Sequence, residues 1–542
     1  MDMILFLDFI SSLLICMALI PFLIKSAGWF QFMDLPGERK MHAVPIARVG
    51  GIAFAAGTFV SILAWYPKDP MIISYLIGSL IILFFGIWDD WASLNFKTKF
   101  LAQIFATLVV VVFGKVRLTT FPFLDGVALS LWLTIPFTII ALLGITNAIN
   151  LSDGLDGLAG GLTLLSFGGL AFLAWLSGDN MVLGMVIPVL GGIFGFLRFN
   201  TYPARVFMGD GGSQFLGFSL GVFCFILTDS VRGPFSPLIA LLIIGVPLFD
   251  TLGVMIQRWT TGRSLFIADR NHIHHKLMSA GLYHYEAVVL IYLLQIVLVS
   301  LGCFLRFQDD GVLALIYGGL AILFFFLFFK IGKAPPLWKR EQESILSGFL
   351  TQIKSKLRAK DIPVRILSIL VPLFLTVIVF VPRKIPVDFG SFSLGLLAIL
   401  MGALFLGKGV QIVIRAGLYV GVAFAIYLSE ETVTLLPASP YSYFNLFYIV
   451  MAGFVVLTVW TNKKESFQIT PLDFLILFII LTISILMKIE IGGIVLGLFA
   501  AKLIILFYAF EILLNQFSNR LGILSGVSTW TLVVIGLRAW LS

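Results

Sequence analysis

Four polar side chains recur at every third position in the stretch Asn147–Gly161, N-A-I-N-L-S-D-G-L-D-G-L-A-G-G: Asn147, Asn150, Asp153 and Asp156. They follow a run, 127–145, that carries no charge at all. Ionisable groups at the edge of a hydrophobic segment are costly to place and mark a binding or catalytic path. The spacing predicts a helical turn that gathers all four on one broad face. Gly154, Gly157, Gly160 and Gly161 would let a ligand or a neighbouring helix approach the backbone closely. The competing reading is a polar connection followed by small residues for helix packing.

Three further clusters have chemical character. In G-I-W-D-D-W, Asp89 and Asp90 end an apolar segment between interfacial tryptophans, Trp88 and Trp91. Helical neighbours point about 100° apart, so the two divide their work: one as an oxygen ligand for a divalent cation, the other as a base or supporting group. Mg²⁺ is commonly held by one or two carboxylates, with substrate phosphates and water completing the shell. A solvated helix end explains the pair poorly, because the helix dipole disfavours acids there. In F-M-G-D-G-G-S, Asp210 stands among glycines at the start of another apolar segment. It is either a simple cap or a metal ligand beside backbone N–H groups aimed at phosphate. In D-R-N-H-I-H-H-K, Arg270, His272, His274 and His275 form a dense donor set suited to a diphosphate; zinc is the alternative ligand for the histidines. The first loop, D-L-P-G-E-R-K-M-H-A-V-P-I-A-R-V-G-G, adds Arg39, Lys40, His42 and Arg48 as an anion pocket or as an orientation signal. Lys97 and Lys99 share that ambiguity, and Asp250 either pairs structurally or lines a cavity.

Together these groups call for phosphoryl chemistry with a divalent metal: acids for the cation, bases for phosphates, apolar walls for a lipid. Such reactions rest mostly on positioning and charge neutralisation. No Walker-A spacing, Ser-His-Asp arrangement or G-x-S-x-G elbow is present.

The elements that must position these groups are membrane helices. The 542 residues are 60% hydrophobic and 12% charged, with a mean hydropathy of +1.06. The expected fold is all-α, a polytopic helical bundle. Eleven core spans are read at 4–24, 49–66, 71–88, 99–114, 127–148, 156–177, 181–197, 208–228, 235–257, 286–305 and 311–330. The first is read as a retained span, not a cleaved leader. Loop by loop, twelve Lys and Arg fall on one side of the membrane and five on the other. The richer side is the cytoplasm, which puts the N-terminus outside. All five polar clusters fall on that cytoplasmic side. Three cysteines, Cys16, Cys224 and Cys303, lie in apolar runs and form no disulfide or zinc pattern. The net charge of +8 fits loop orientation and anionic head groups or phosphates better than nucleic acid. Residues 1–331 are expected to form the catalytic domain. Residues 332–365 are a basic cytoplasmic linker, with an interfacial helix around 341–357, and 366–542 an additional transmembrane domain of unknown role. In the last, Lys488, Glu490, Lys502 and Glu511 are candidates to pair.

In family order, D-L-P-G-E-R-K-M-H…G-G, the D-D pair, N-A-I-N-L-S-D-G-L-D-G-L-A-G-G, F-M-G-D-G-G-S and D-R-N-H-I-H-H resemble the polyprenyl-phosphate N-acetylhexosamine-1-phosphate transferases over about the first 330 residues. The resemblance implies transfer of a sugar-1-phosphate from a UDP-N-acetyl sugar to undecaprenyl phosphate, releasing UMP and using Mg²⁺, with Mn²⁺ as a substitute. It implies metal and lipid-phosphate chemistry at Asp89 and Asp90, Mg²⁺ binding at Asp210, and a nucleotide side at Asn150, Asp153 and Asp156, with a direct catalytic role for Asp153. His272, His274 and His275 are implied near the sugar and diphosphate, and Lys99 in the cleft. The R-K-M-H and D-R-N-H-I-H-H forms favour N-acetylglucosamine. A homodimer or downstream glycan-assembly proteins are the expected partners. The C-terminal third departs from the family pattern. A secondary transporter is the runner-up, but transporters tend to show internal repeats and a midplane site, and this sequence shows neither.

Overall fold

The computed structural model describes residues 2–35, 44–66, 68–119, 122–123, 130–229, 234–264, 271–331, 362–406, 410–433, 438–461, 490–491, 494–516 and 522–541. Arg39, Lys40, His42, Arg270 and the 341–357 helix fall outside them. The fold is all-α. Helices α1 to α8 run Asp2–Ala27, Gly50–Trp65, Pro70–Ala92, Phe96–Val112, Leu131–Leu151, Leu158–Ser177, Asn180–Asn200 and Gly209–Leu227. Helices α9 to α13 follow at Leu238–Ile244, Val246–Thr260, Ile273–Ser279, His284–Phe304 and Asp310–Ile331. These thirteen form one compact unit. Among the described residues eight helices are long and apolar enough to cross a membrane, and α9 with α10 forms a ninth candidate. With α2 and α4, at 16 and 17 residues, they account for the eleven segments read from the sequence. The chain is a multi-pass membrane protein.

Local chemistry starts these helices where the sequence expects. Asp69 and Asn95 accept the N–H groups of Met71 and Lys97, capping α3 and α4, and Asp179 caps α7 through Met181 and Val182. α8 is the hub: nearly all of it is buried, against α2, α3, α5 and α6. Its approach to α3 is a backbone contact, because a Cβ on Gly86 would strike the Cα of Gly211. Contacts this close are what small residues allow between membrane helices. They bring the Asp89–Asp90 end of α3 to the Asp210 end of α8.

Two features differ from the sequence reading. The segment 235–257 is not one helix but two, α9 and α10, bent by 88° at Gly245, which sits at φ +57°. Irregular backbone at membrane depth must be satisfied by protein. Gln295 does this, accepting the N–H of Val246 and donating to the carbonyl of Ile243 and to Ser166. Two short strands, β1 (Met33–Asp34) and β2 (Ile46–Ala47), pair antiparallel where only a loop was expected.

A second compact unit contains α14 to α19: Ile362–Ile378, Val387–Leu406, Val410–Val433, Ala438–Thr461, Leu496–Gln516 and Gly522–Leu541. A short pair of strands, β3 (Glu490–Ile491) and β4 (Ile494–Val495), precedes α18. α14 begins inside the segment read as linker. The unit packs around Leu367, Val371, Ile426, Phe510 and Leu532. Lys502 pairs with Glu430 on α16, both side chains being buried; Lys488 lies outside the described residues.

Candidate active site

One cavity of about 620 Å³ opens where β1–β2, the end of α3, the α5–α6 turn, the α7–α8 connection, the start of α8, α11 and α12 meet. Asp90, Asn150, Asp153, Asp156, Asp210 and His275 line it, all predicted from the sequence. Arg48, also named from the sequence, joins them just after β2, with Asp34 of β1. So do Asn200, Tyr202, Phe207 and His284, which the sequence reading missed.

The Asp89–Asp90 pair divides as helical geometry requires. The Asp89 carboxylate accepts the Leu94 N–H at 2.7 Å and pairs with Lys99, whose Nζ also lies 3.3 Å from Asp210 Oδ2. Asp90 turns toward the first turn of α8 and accepts the N–H groups of Asp210 and Gly211 at 3.0 and 3.2 Å. Two of the N–H groups at the start of α8, where a phosphate was one expectation, are thus held by a carboxylate. Asp90 is thereby the group that fixes where Asp210 stands.

The four evenly spaced residues do not share a helical face. α5 ends at Leu151, and Asp153–Gly157 form a non-helical turn that closes with Gly157 at φ +78°. Asn147, a turn earlier on α5, is not among the lining residues: it exchanges hydrogen bonds with Gln103, which in turn donates to Gln214 on α8. The rest of the turn is pinned from several directions. Asn150 accepts from Ser213 at 2.6 Å, and Asn200 accepts the Gly157 N–H while donating to Val206. Asp156 accepts the Ala204 N–H and gives its own N–H to His284, whose ring stacks on Tyr202. Burial is the largest influence on Asp153, and the carboxylates of Asp210, Asp90 and Asp156 add to it. Its carboxyl is raised from 3.8 to about 7.

The three histidines pack ring against ring, with His274 in the middle at 5.9 and 4.2 Å from His272 and His275, but their surroundings differ. His275 reaches the cavity, whereas His272 packs its Nδ1 against Asp250 Oδ2 at 2.8 Å. Asp250 also accepts the Ile273 N–H, so it is a structural partner and no cavity wall. The bend at Gly245 delivers α10 to this position. His274 is 2% exposed, with neither ring nitrogen hydrogen-bonded. Burial first, and then the neighbouring His275, His272 and His284, push it down to about 3, so it is neutral. It lies against Gly154, whose missing Cβ would strike His274 Nε2. Gly154→Ala is expected to lower thermal stability in detergent by about 1–3 kcal/mol, the usual cost of overpacking a filled core. Differential scanning fluorimetry checks this, and adding His274→Ala should recover the loss.

Among the described residues no three His, Cys, Asp or Glu side chains form a metal-binding group, and the Nδ1 of His272 is already engaged by Asp250. A tetrahedral zinc site needs convergent ligands, which this loop does not supply. The acidic cluster suits a hard cation differently. Two carboxylates, Asp89 and Asp210, converge on a single ammonium, with Asp90 and Asp153 beyond. That excess of negative charge is what a cation sharing its shell with phosphate requires.

The description "Glycosyl transferase family 4" matches residues 72–228, the stretch from α3 through α8. A Bacillus subtilis protein described as a probable undecaprenyl-phosphate N-acetylglucosaminyl 1-phosphate transferase is 37% identical over 289 residues, covering 53% of this chain and 80% of its own length. The Escherichia coli K12 undecaprenyl-phosphate alpha-N-acetylglucosaminyl 1-phosphate transferase is 32% identical over 371 residues, covering 65% of this chain and 95% of its own. A Yersinia pestis protein of the same description is 32% identical, with 50% and 76% covered. With more than three quarters of each of these relatives covered and the acidic motifs meeting at one cavity, the chain belongs to glycosyl transferase family 4, among the polyprenyl-phosphate hexosamine-1-phosphate transferases.

Proposed function

We propose that the chain transfers N-acetylglucosamine-1-phosphate from UDP-N-acetylglucosamine to undecaprenyl phosphate, releasing UMP at the cytoplasmic face and starting a lipid-linked cell-surface glycan. The observation that carries this reading is the meeting of Asp90, Asp153 and Asp210 at one cavity, with Arg48 on its wall and Lys99 beside Asp210. The relatives' descriptions support the sugar and the acceptor, and the loop charges support the cytoplasmic side.

In this reaction a phosphate oxygen of the acceptor attacks the β-phosphorus of the donor. The bond from that phosphorus to the bridging oxygen breaks, and UMP leaves. Asp210 and Asp89 would hold Mg²⁺, or Mn²⁺ in its place, which neutralises phosphate charge when bound. Lys99 supplies positive charge between the same two carboxylates. Asp153, poised near neutrality by its buried acidic surroundings, takes the last proton from the acceptor phosphate and leaves a dianionic nucleophile. The turn pinned by Asn200, His284 and Ser213 presents Asp156 and Asn150 to the nucleotide.

Purified protein given UDP-N-acetylglucosamine, undecaprenyl phosphate and Mg²⁺ is expected to release UMP, and to release none without the lipid or after chelation. Uptake of the nucleotide sugar into proteoliposomes with no UMP formed would refute the proposal and favour a transporter.

A further inference from the structure

We propose that Arg48 grips the diphosphate of the donor, with Asp34 fixing its guanidinium for that task. The inference rests on the transfer reading for the identity of the donor, but its evidence is separate.

Five carboxylates line the cavity, those of Asp34, Asp90, Asp153, Asp156 and Asp210. A diphosphate entering this field needs a cation on the cavity wall. Lys99 is held between Asp89 and Asp210 and is not among the lining residues. Among the described lining residues Arg48 is the one with a permanent positive charge.

Its backbone is held on both sides. The Arg48 N–H donates to Phe32 across the β1–β2 pair at 2.9 Å. The preceding residue, Ala47, accepts the Phe207 N–H at 2.8 Å, and the Gly50 N–H returns to Phe207. Arg48 is thus tethered to the same connection that carries Asp210. Asp34 engages Nη2, whereas Nη1 stays 3.9 Å from Asp90, beyond hydrogen-bond distance. A guanidinium has five donors in a planar fork, and one carboxylate leaves an edge available for phosphate. The Arg48 side chain is 36% exposed, and ion pairs this open contribute roughly 0–1 kcal/mol to stability. Holding the short strands together is therefore a weak reason for placing an arginine on the cavity wall. Orienting it toward a bound anion is a sufficient one.

The test measures binding of UDP and of uridine to the full-length protein in detergent by isothermal titration, alongside UMP release. Arg48→Ala should weaken UDP by roughly 30-fold, as loss of one partner of a charge-assisted contact does, and leave uridine within about twofold. The KM for the nucleotide sugar should rise with it. Arg48→Lys should recover only part of the loss, because an ammonium cannot bind in a fork. Asp34→Asn should weaken UDP in the same direction by less, and add nothing in the Arg48→Ala background, the signature of a coupled pair. Unchanged UDP binding in Arg48→Ala overturns the proposal, and so does equal loss of uridine, which would mean that the strands had collapsed. A wild-type protein that binds UDP but releases no UMP overturns the transfer reading and leaves this assignment standing.

Discussion

Asp210→Asn is expected to reduce the rate of UMP release by on the order of 10²–10³, the cost of removing one preorganised group from a charge-stabilising site. The substitution keeps the shape and volume of the side chain and removes its charge. It also leaves the backbone N–H of residue 210 on Asp90, so the first turn of α8 stays in place. What changes is the electrostatics at the end of α8. Lys99 is left with Asp89 alone, and a divalent cation loses one of the two carboxylates that converge there. The Mg²⁺ concentration for half-maximal rate should therefore rise as the maximal rate falls, while thermal stability should not fall, since one acid of the cluster loses its charge. Titrating Mg²⁺ in the UMP-release assay reads both quantities at once. An Asp210→Asn protein with wild-type rate and wild-type Mg²⁺ dependence would remove Asp210 from the site chemistry.

How much of this was legible in the sequence follows from what each signal depends on. The spans could be read because apolar runs report burial in lipid directly. Asp89, Asp90, Asp153 and Asp210 stood out because charge at the end of such a run needs a reason. Their division of labour did not show. Asp90 serves α8 and Asp89 serves Lys99 only because Gly86 lets α3 meet Gly211 backbone to backbone. Asn147 looked equivalent to Asn150 by spacing. Both stand on α5, yet one faces Gln103 and the other Ser213, because different helices pack on the two positions. His284 and Asn200 carried no local signal, since each acquires its role from a loop distant in sequence, through Asp156 and Gly157. The two strands were invisible because two residues each are too few for an alternating pattern.

Asp153→Asn should make the ligand-free protein more stable while abolishing transfer. The direction follows from proton linkage. The Asp153 carboxyl is raised in the folded chain, from its ordinary 3.8 to about 7, so the folded state binds the proton more tightly than the unfolded state. Stability must then decline as pH rises from about 4 to about 7, and level off above that range. At pH 8 the ionised carboxylate, half-buried on the cavity wall among other acids, costs about 4 kcal/mol at most, taking about 1.4 kcal/mol per tenfold change in affinity. The cost is less where water in the cavity screens it. Asparagine has the same shape without the charge, so the variant should have a higher Tm than the parent at pH 8. The difference should shrink toward zero near pH 4, and the pH-dependent decline should be correspondingly reduced in the variant. Differential scanning fluorimetry across that range measures all three effects. The same burial and the same acidic neighbours, Asp210, Asp90 and Asp156, that destabilise the resting protein hold a proton acceptor near neutral pH. Stability is lost at the position where the proposed chemistry needs a base. A variant that lost activity with no gain in Tm at high pH would mean that Asp153 is not carrying buried charge, and its role as proton acceptor would fall with that result.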